Sequence, residues 1–151
     1  MRRKEREIAD VGEIESIIRK AQVCRLALAD GGLPYIVPLC FGYKNKTLYF
    51  HSAKAGKKIA ILRRNQQVCF EFDIDARVRS GKSACNWTMA YKSVIGFGTA
   101  SLIEEPEEKQ KALDIIMRQY SEGDFTYLDE AFAEMLVIKV DISRMTGKKS
   151  D

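Results

Sequence analysis

Apolar residues along this chain recur at two spacings, and each spacing predicts an element. Ile14, Ile17, Ile18 and Ala21 fall at i, i+3, i+4 and i+7, one face of a helix running to about Gln22. Asp10 and Glu13 ahead of it resemble a capping box with Asp in place of Ser or Thr. Val23 to Ala29 alternates as a strand, and Asp30-Gly31-Gly32 is a hairpin turn, since glycine supplies the positive φ a tight turn requires. Leu33 to Phe41 returns as a second strand. Pro34 and Pro38 lack an N–H, so this strand lies at an edge, is bulged, or leaves its backbone free for another partner. Lys44-Asn45-Lys46 turns the chain into a third strand, Thr47 to Phe50.

The third strand runs into His51-Ser52-Ala53-Lys54-Ala55-Gly56-Lys57-Lys58, and helical spacing resumes with Ile59, Ala60, Ile61 and Leu62. Ser52 stands where an N-cap would stand. A strand entering the open N-terminus of a helix leaves backbone N–H groups pointing outward, where the helix dipole adds positive character. Lys54, Lys57 and Lys58 place full charges on the same spot, as a phosphate site requires; the competing reading is a solvated turn with ordinary lysines. After Arg63-Arg64-Asn65, Val68 to Ile74 alternates as a fourth strand, and Asp75 to Ala84 reads as a polar loop. Cys85 to Lys92 mixes aromatic and polar residues around the single Trp87, and Ser93 to Glu104 is a long strand interrupted by Gly96 and Gly98. Such glycines mark a bulge, a barrel corner, or close approach of a ligand or another backbone. Pro106, with Glu105, Glu107 and Glu108, opens a helix whose apolar face is Leu113, Ile116, Met117 and Tyr120. Phe125 to Ala133 is ambiguous, and Met135 to Ile142 is a last strand. About six strands joined by hairpin turns, with helices at the ends and crossings, predict a mainly β fold: an antiparallel barrel with flanking helices, one domain over residues 1–151.

Composition narrows the partners. The 151 residues are 46% apolar and 30% charged, a globular balance with mass enough for a core. A net charge of +4 suits an anionic ligand and falls short of the dense basic face of a nucleic-acid binder. No apolar run approaches a membrane span, and Met1 to Glu7 lacks the apolar core of a signal peptide, so a cytoplasmic protein is expected. Cys24, Cys40, Cys69 and Cys85 form no C-x-x-C pair, and His51 is the only histidine, which rules out a structural zinc site. Cys24, Cys40 and Cys69 lie in apolar segments and are expected to be buried free thiols.

Three segments could converge on one ligand: Ile36 to Phe41 with apolar walls and backbone groups, His51 to Lys58 with a phosphate cradle, and Trp87 to Gly98 with an aromatic surface. A flat, phosphate-bearing heteroaromatic cofactor would use all three. In order, P-Y-I-V-P-L-C-F-G-Y, L-Y-F-H-S-A-K-A-G-K-K and N-W-T-M-A-Y-K-S-V-I-G-F-G resemble the FMN-binding split-barrel family related to pyridoxamine 5'-phosphate oxidase, most closely its nitroimidazole-resistance branch. The resemblance covers Glu7 to Lys148.

It implies a six-stranded split β-barrel, a homodimer, FMN in the dimer interface and a small-molecule substrate; from the charge and hydropathy above, no nucleic acid or membrane partner is expected. It also implies site residues. The strand carrying Pro38, Leu39 and Phe41 would line the flavin ring. His51, Ser52 and Ala53 would meet the ribityl chain and phosphate, and Lys57 and Lys58 would hold the phosphate. Lys92 and Ser93 match a strand start where the oxidases carry a Gln; Ser93 departs from that and is too short for the same contact. Trp87 and Tyr91 would face the flavin from their own or the partner subunit. Against these stand plainer readings: His51 as a strand-end residue, Trp87 and Tyr91 as interface or core packing. The vitamin-oxidising enzymes grip their substrate with a C-terminal Trp, Arg and His, whereas here no histidine follows residue 51. The implied activity is therefore FMN-dependent reduction of a small acceptor such as a nitroaromatic compound. The alternatives are a non-catalytic flavin sensor or store, a pyridoxamine 5'-phosphate oxidase-like enzyme, and a basic turn that binds another phosphate ligand or RNA.

Overall fold

Among the described residues, eight strands and four α-helices follow one another as β1 (Glu7–Ile8), α1 (Val11–Lys20), β2 (Cys24–Asp30), β3 (Leu33–Leu39), β4 (Gly42–Lys44), β5 (Thr47–Ala53), α2 (Lys57–Arg64), β6 (Gln67–Arg79), β7 (Thr88–Ile103), α3 (Pro106–Arg118), α4 (Asp129–Glu134) and β8 (Met135–Ser150). The structure is a computed structural model that describes residues 3–150; Met1 and Arg2 of the basic N-terminal stretch, and Asp151, lie outside the described residues.

The local signals act as expected. The Asp10 side chain caps α1 by accepting from the Glu13 N–H at 2.7 Å. Glu105 caps α3 by accepting from the N–H groups of Glu107 and Glu108. Two-residue hairpins turn at Gly31-Gly32 and at Asn45-Lys46, all four with positive φ.

All strand pairs are antiparallel, in the order β3-β2-β6-β7-β8-β5-β4, with β1 on the far end of β8. The path does not close. Its two ends, β3 and β4, are nevertheless tied together by only Cys40 and Phe41, so the sheet must curl into a barrel split between them. This is the expected architecture, with six long strands and two short additions, β1 and β4. The inward face carries Leu26, Leu28, Phe50, Phe70, Phe72, Val94, Leu136 and Ile138, closed by Ile17 and Ile18 from α1 and Ile59, Ile61 and Leu62 from α2. A second cluster, Ile103, Ala112, Leu113, Ile116 and Val137, lies under α3. β8 is thus buried on both faces at its start, which explains its unbroken apolar run.

Four expectations need correction. The Asp75–Ala84 loop is strand as far as Arg79, beyond a bulge at which Asp75 takes φ 57°. The seventh strand begins at Thr88 rather than Ser93, and the last continues past Ile142 to Ser150, paired with β7 from Arg144 onward beyond a bulge at Ser143. These extensions are largely polar, with Ala90, Gly147 and Ser150 buried among exposed and half-buried neighbours, so no apolar alternation announces them; cross-strand hydrogen bonds impose them. Cys40 is exposed and Cys69 half-buried, and only Cys24 is the fully buried thiol expected. Gly98 meets two of the readings a strand glycine allows, a bulge and close approach of another backbone, since it lies at the β7–β8 register shift, whereas Gly96 admits a side chain of this protein. A Cβ at Gly96 would stand 2.1 Å from Phe70 Cζ, and one at Gly98 2.5 Å from the Asp141 carbonyl oxygen. No helix among the described residues is long and apolar enough to cross a membrane.

Candidate functional site

The end of β5 and the start of α2 form one rim of the split. β5 stays paired with β8 as far as Ala53↔Met135, so Ser52 is a strand residue and not the helix cap. Its side chain points inward, 8% exposed, and its hydroxyl donates to the Ala53 carbonyl at 3.0 Å. His51 and Ala53 point outward. The residue preceding α2 is Gly56, whose φ of 116° favours glycine and whose backbone leaves no side chain over the first turn. Lys57 is exposed, with its ammonium 4.6 Å above the centre of the Tyr35 ring. Lys58 is half-buried, and burial lowers its pKa. Neither lysine has a carboxylate partner among the described residues.

The strand facing this rim contributes unevenly. Pro38 is exposed, Leu39 faces the core half-buried, and Cys40 is exposed. Phe41 is fully buried 4.8 Å from Phe72, so its side chain belongs to the core rather than to a ligand wall. Its N–H is also taken, donating at 2.9 Å to the Tyr120 hydroxyl, which in turn donates to the Gln22 carbonyl. Burial pushes the Tyr120 phenol up to about 12.

The third group lies on β7. Successive strand residues face opposite ways, so Lys92 and Ser93 cannot both present side chains to one ligand. Lys92 turns towards α1 and pairs with Glu13 at 3.3 Å, while Tyr91 and Ser93 share the other face. Tyr91 lies under the Lys148 ammonium, 5.7 Å from its ring centre. It also lines, with Asp75, Ala76, Arg77, Ala90, Lys92 and Ser150, a cleft of about 540 Å³. Trp87 stands 56% exposed between the ends of β6 and β7.

Registers set the separation between these groups. Pro38, Arg25, Glu71 and Ile95 form one outward row across β3, β2, β6 and β7. Three strand spacings place Pro38 about 14 Å from Ile95, with Ser93 and Tyr91 farther along β7. Within one chain the structure therefore gathers Pro38, Leu39, His51, Ser52, Ala53, Lys57 and Lys58 near the split, and Trp87, Tyr91 and Ser93 elsewhere.

Sequence reasoning missed Tyr35 beneath Lys57, and also an ion cluster in which Arg25 pairs with Glu71 at 3.0 Å and with Asp73. Burial raises the Glu71 pKa despite Arg25. Partners so far apart in the chain carry no local signal; only alternation along β3, which puts Tyr35 inward with Val37 and Leu39, hinted at the first. No group of three or more candidate metal ligands occurs among the described residues.

The fold and the split define a class, the open β-barrel flanked by helices. Residues 10–149 match the profile of the family described as pyridoxamine 5'-phosphate oxidase, and the chain belongs to that family. A candidate 5-nitroimidazole antibiotic resistance protein from Bacteroides thetaiotaomicron is 43% identical, with a TM-score of 0.84 over 94% of this chain and 85% of that one. The flavocytochrome of Azotobacter vinelandii shares the fold at 19% identity, with a TM-score of 0.87 over 100% and 72%. An FAD-binding protein from Mesorhizobium loti does so at 23% identity, with a TM-score of 0.71 over 97% and 98%. No curated protein matches the sequence.

Proposed function

We propose that this protein is an FMN-dependent oxidoreductase that reduces a small acceptor, with nitroaromatic compounds as the substrate class. The observation that carries the reading is the start of α2: two lysines without carboxylate partners among the described residues, one of them desolvated, at a helix N-terminus that opens on the split. An anion there would restore to Lys58 the stabilisation that burial removes, and would take hydrogen bonds from the first-turn N–H groups. These groups fit a phosphate. Family membership and the 43% identical nitroimidazole-resistance relative favour flavin and nitro reduction over other phosphate ligands.

Bound FMN would carry the electrons; the chain's residues hold and orient it. Lys57 and Lys58 anchor the phosphate, Pro38 and Leu39 offer apolar surface, and His51 and Ala53 project from the strand end beside them. Trp87, Tyr91 and Ser93 stand too far away to join this group within one chain, so a second copy supplies them and the working unit is a homodimer. The exposed Ile36, Ile95 and Phe97 on the same outward face support that assembly.

The test is the visible spectrum of purified protein, identification of the released chromophore, and reoxidation of the reduced protein by a 5-nitroimidazole without oxygen. Flavin bands, released FMN and reoxidation faster than that of free reduced FMN are expected. Bound FMN without acceptor-driven reoxidation would favour a sensor or store, and a Soret band in place of flavin bands would overturn the cofactor. Lys57→Ala with Lys58→Ala should strip FMN from a folded protein.

A further inference from the structure

The Lys57 ammonium stands over the face of the Tyr35 ring, 4.6 Å from its centre, and has no carboxylate partner among the described residues. A lysine at an exposed helix start ordinarily samples many rotamers and loses that freedom when it binds an anion. A ring face lying under the ammonium attracts it electrostatically and favours one placement without neutralising it. Tyr35 is itself held in place. It sits inside β3 opposite Leu28, half-buried against the main core, so its ring is a fixed surface.

The geometry points to Tyr35 as the positioning residue of the phosphate site: its ring pre-organises the Lys57 ammonium for a phosphate-bearing cofactor and thereby raises selectivity for FMN over riboflavin. This rests on reading Lys57 as the phosphate contact. Lys58, with no aromatic ring under its ammonium among the described residues, depends on burial instead. The division explains why two adjacent lysines, one exposed and one half-buried, can both serve a single anion: one is held by a ring and the other by the core. The phosphate approaches the side of the ammonium away from the ring, so the contact persists on binding.

Flavin fluorescence quenching on full-length protein stripped of flavin, titrated separately with FMN and riboflavin, tests the assignment. Tyr35→Met removes the ring and keeps an apolar side chain. It should weaken FMN binding about two- to fivefold, at most the strength of one exposed cation–π contact, and leave riboflavin binding unchanged. Tyr35→Phe keeps the ring face and should retain wild-type selectivity. In a Lys57→Met background, Tyr35→Met should have no further effect on FMN. Equal weakening of both flavins would assign Tyr35 a packing role and overturn the inference. Unchanged FMN affinity in Tyr35→Met alongside weakened affinity in Lys57→Met would overturn it while leaving the phosphate reading intact. Unchanged FMN affinity in Lys57→Met would overturn both.

Discussion

Gly96→Ala places two opposing effects on one position. Alanine in a strand interior loses less conformational freedom than glycine, worth about 0.5–1 kcal/mol in favour of the variant. Packing acts the other way. Gly96 pairs directly with Phe70, whose ring lies across it, and the added Cβ would meet Cζ at 2.1 Å and Cε1 and Cε2 at 2.7 Å. Carbon atoms in contact want about 3.5–4 Å, so the ring must shift by more than an ångström. It has nowhere to go. Phe70 is fully buried, 5.8 Å from Phe72, which is 4.8 Å from Phe41. Overpacking costs about 1–3 kcal/mol, and a 2.1 Å contact with a ring that cannot move takes the upper end, so after the glycine offset a net loss of about 2 kcal/mol is expected. For a chain of this length that corresponds to a fall in Tm of about 6 °C. The assay is thermal and urea unfolding at fixed protein concentration with flavin saturating. Phe70→Leu as a second substitution should recover most of the Gly96→Ala penalty, because the shorter side chain vacates the contested space. An unchanged or raised Tm, or an equal penalty in the Phe70→Leu background, would refute the packing argument.

Alkaline stability should fall between about pH 10 and 12. Tyr43 and Tyr120 are both pushed up to about 12, Tyr43 by burial and the neighbouring Glu15 carboxylate, Tyr120 chiefly by burial. Folding thus favours the neutral phenols; the contribution is complete below the unfolded value of about 10 and is lost as pH climbs through the folded one. Urea midpoints across that range should drop steeply in the wild type and less in Tyr43→Phe with Tyr120→Phe; parallel curves would contradict this. Lys109, only 4% exposed, donates to the carbonyls of Phe132 at 2.7 Å and Met135 at 3.1 Å, with its ammonium 4.1 Å over the Phe132 ring. Lys109→Met orphans both carbonyls and should cost about 2 kcal/mol, with faster hydrogen exchange concentrated in residues 128–136. Unaltered exchange there would remove Lys109 as the latch between α3 and the start of β8.

How much could be read in advance follows the range of the forces involved. The α1 cap, both hairpin turns and the Pro106 helix start were legible because each is decided within a few residues. The edge position of β3 was among the readings its prolines allowed, and the three ordered motifs pointed to the split barrel. The ends of β6, β7 and β8 were not legible, since polar strand residues are ordered only by partners distant in the chain. The site divides in the same way. Lys57 and Lys58 follow from a helix start preceded by small residues, whereas Ser52 looked like a cap only because the length of β5 depends on pairing with β8. Alternation alone separates Lys92 from Ser93, yet that Lys92 turns to Glu13 required the helix position.

By itself the sequence determined the mainly β class, the local turns and caps, and a basic helix start suited to phosphate, because propensity, periodicity and charge act at short range. Tertiary structure alone decided which neighbours fill the glycine sites, that Phe41 is core, and that Tyr35 lies beneath Lys57. It also put Tyr91 and Ser93 on β7, three strand positions across the sheet from Pro38 on β3. Those outcomes depend on strand order and register, which bring together residues that no spacing along the chain connects.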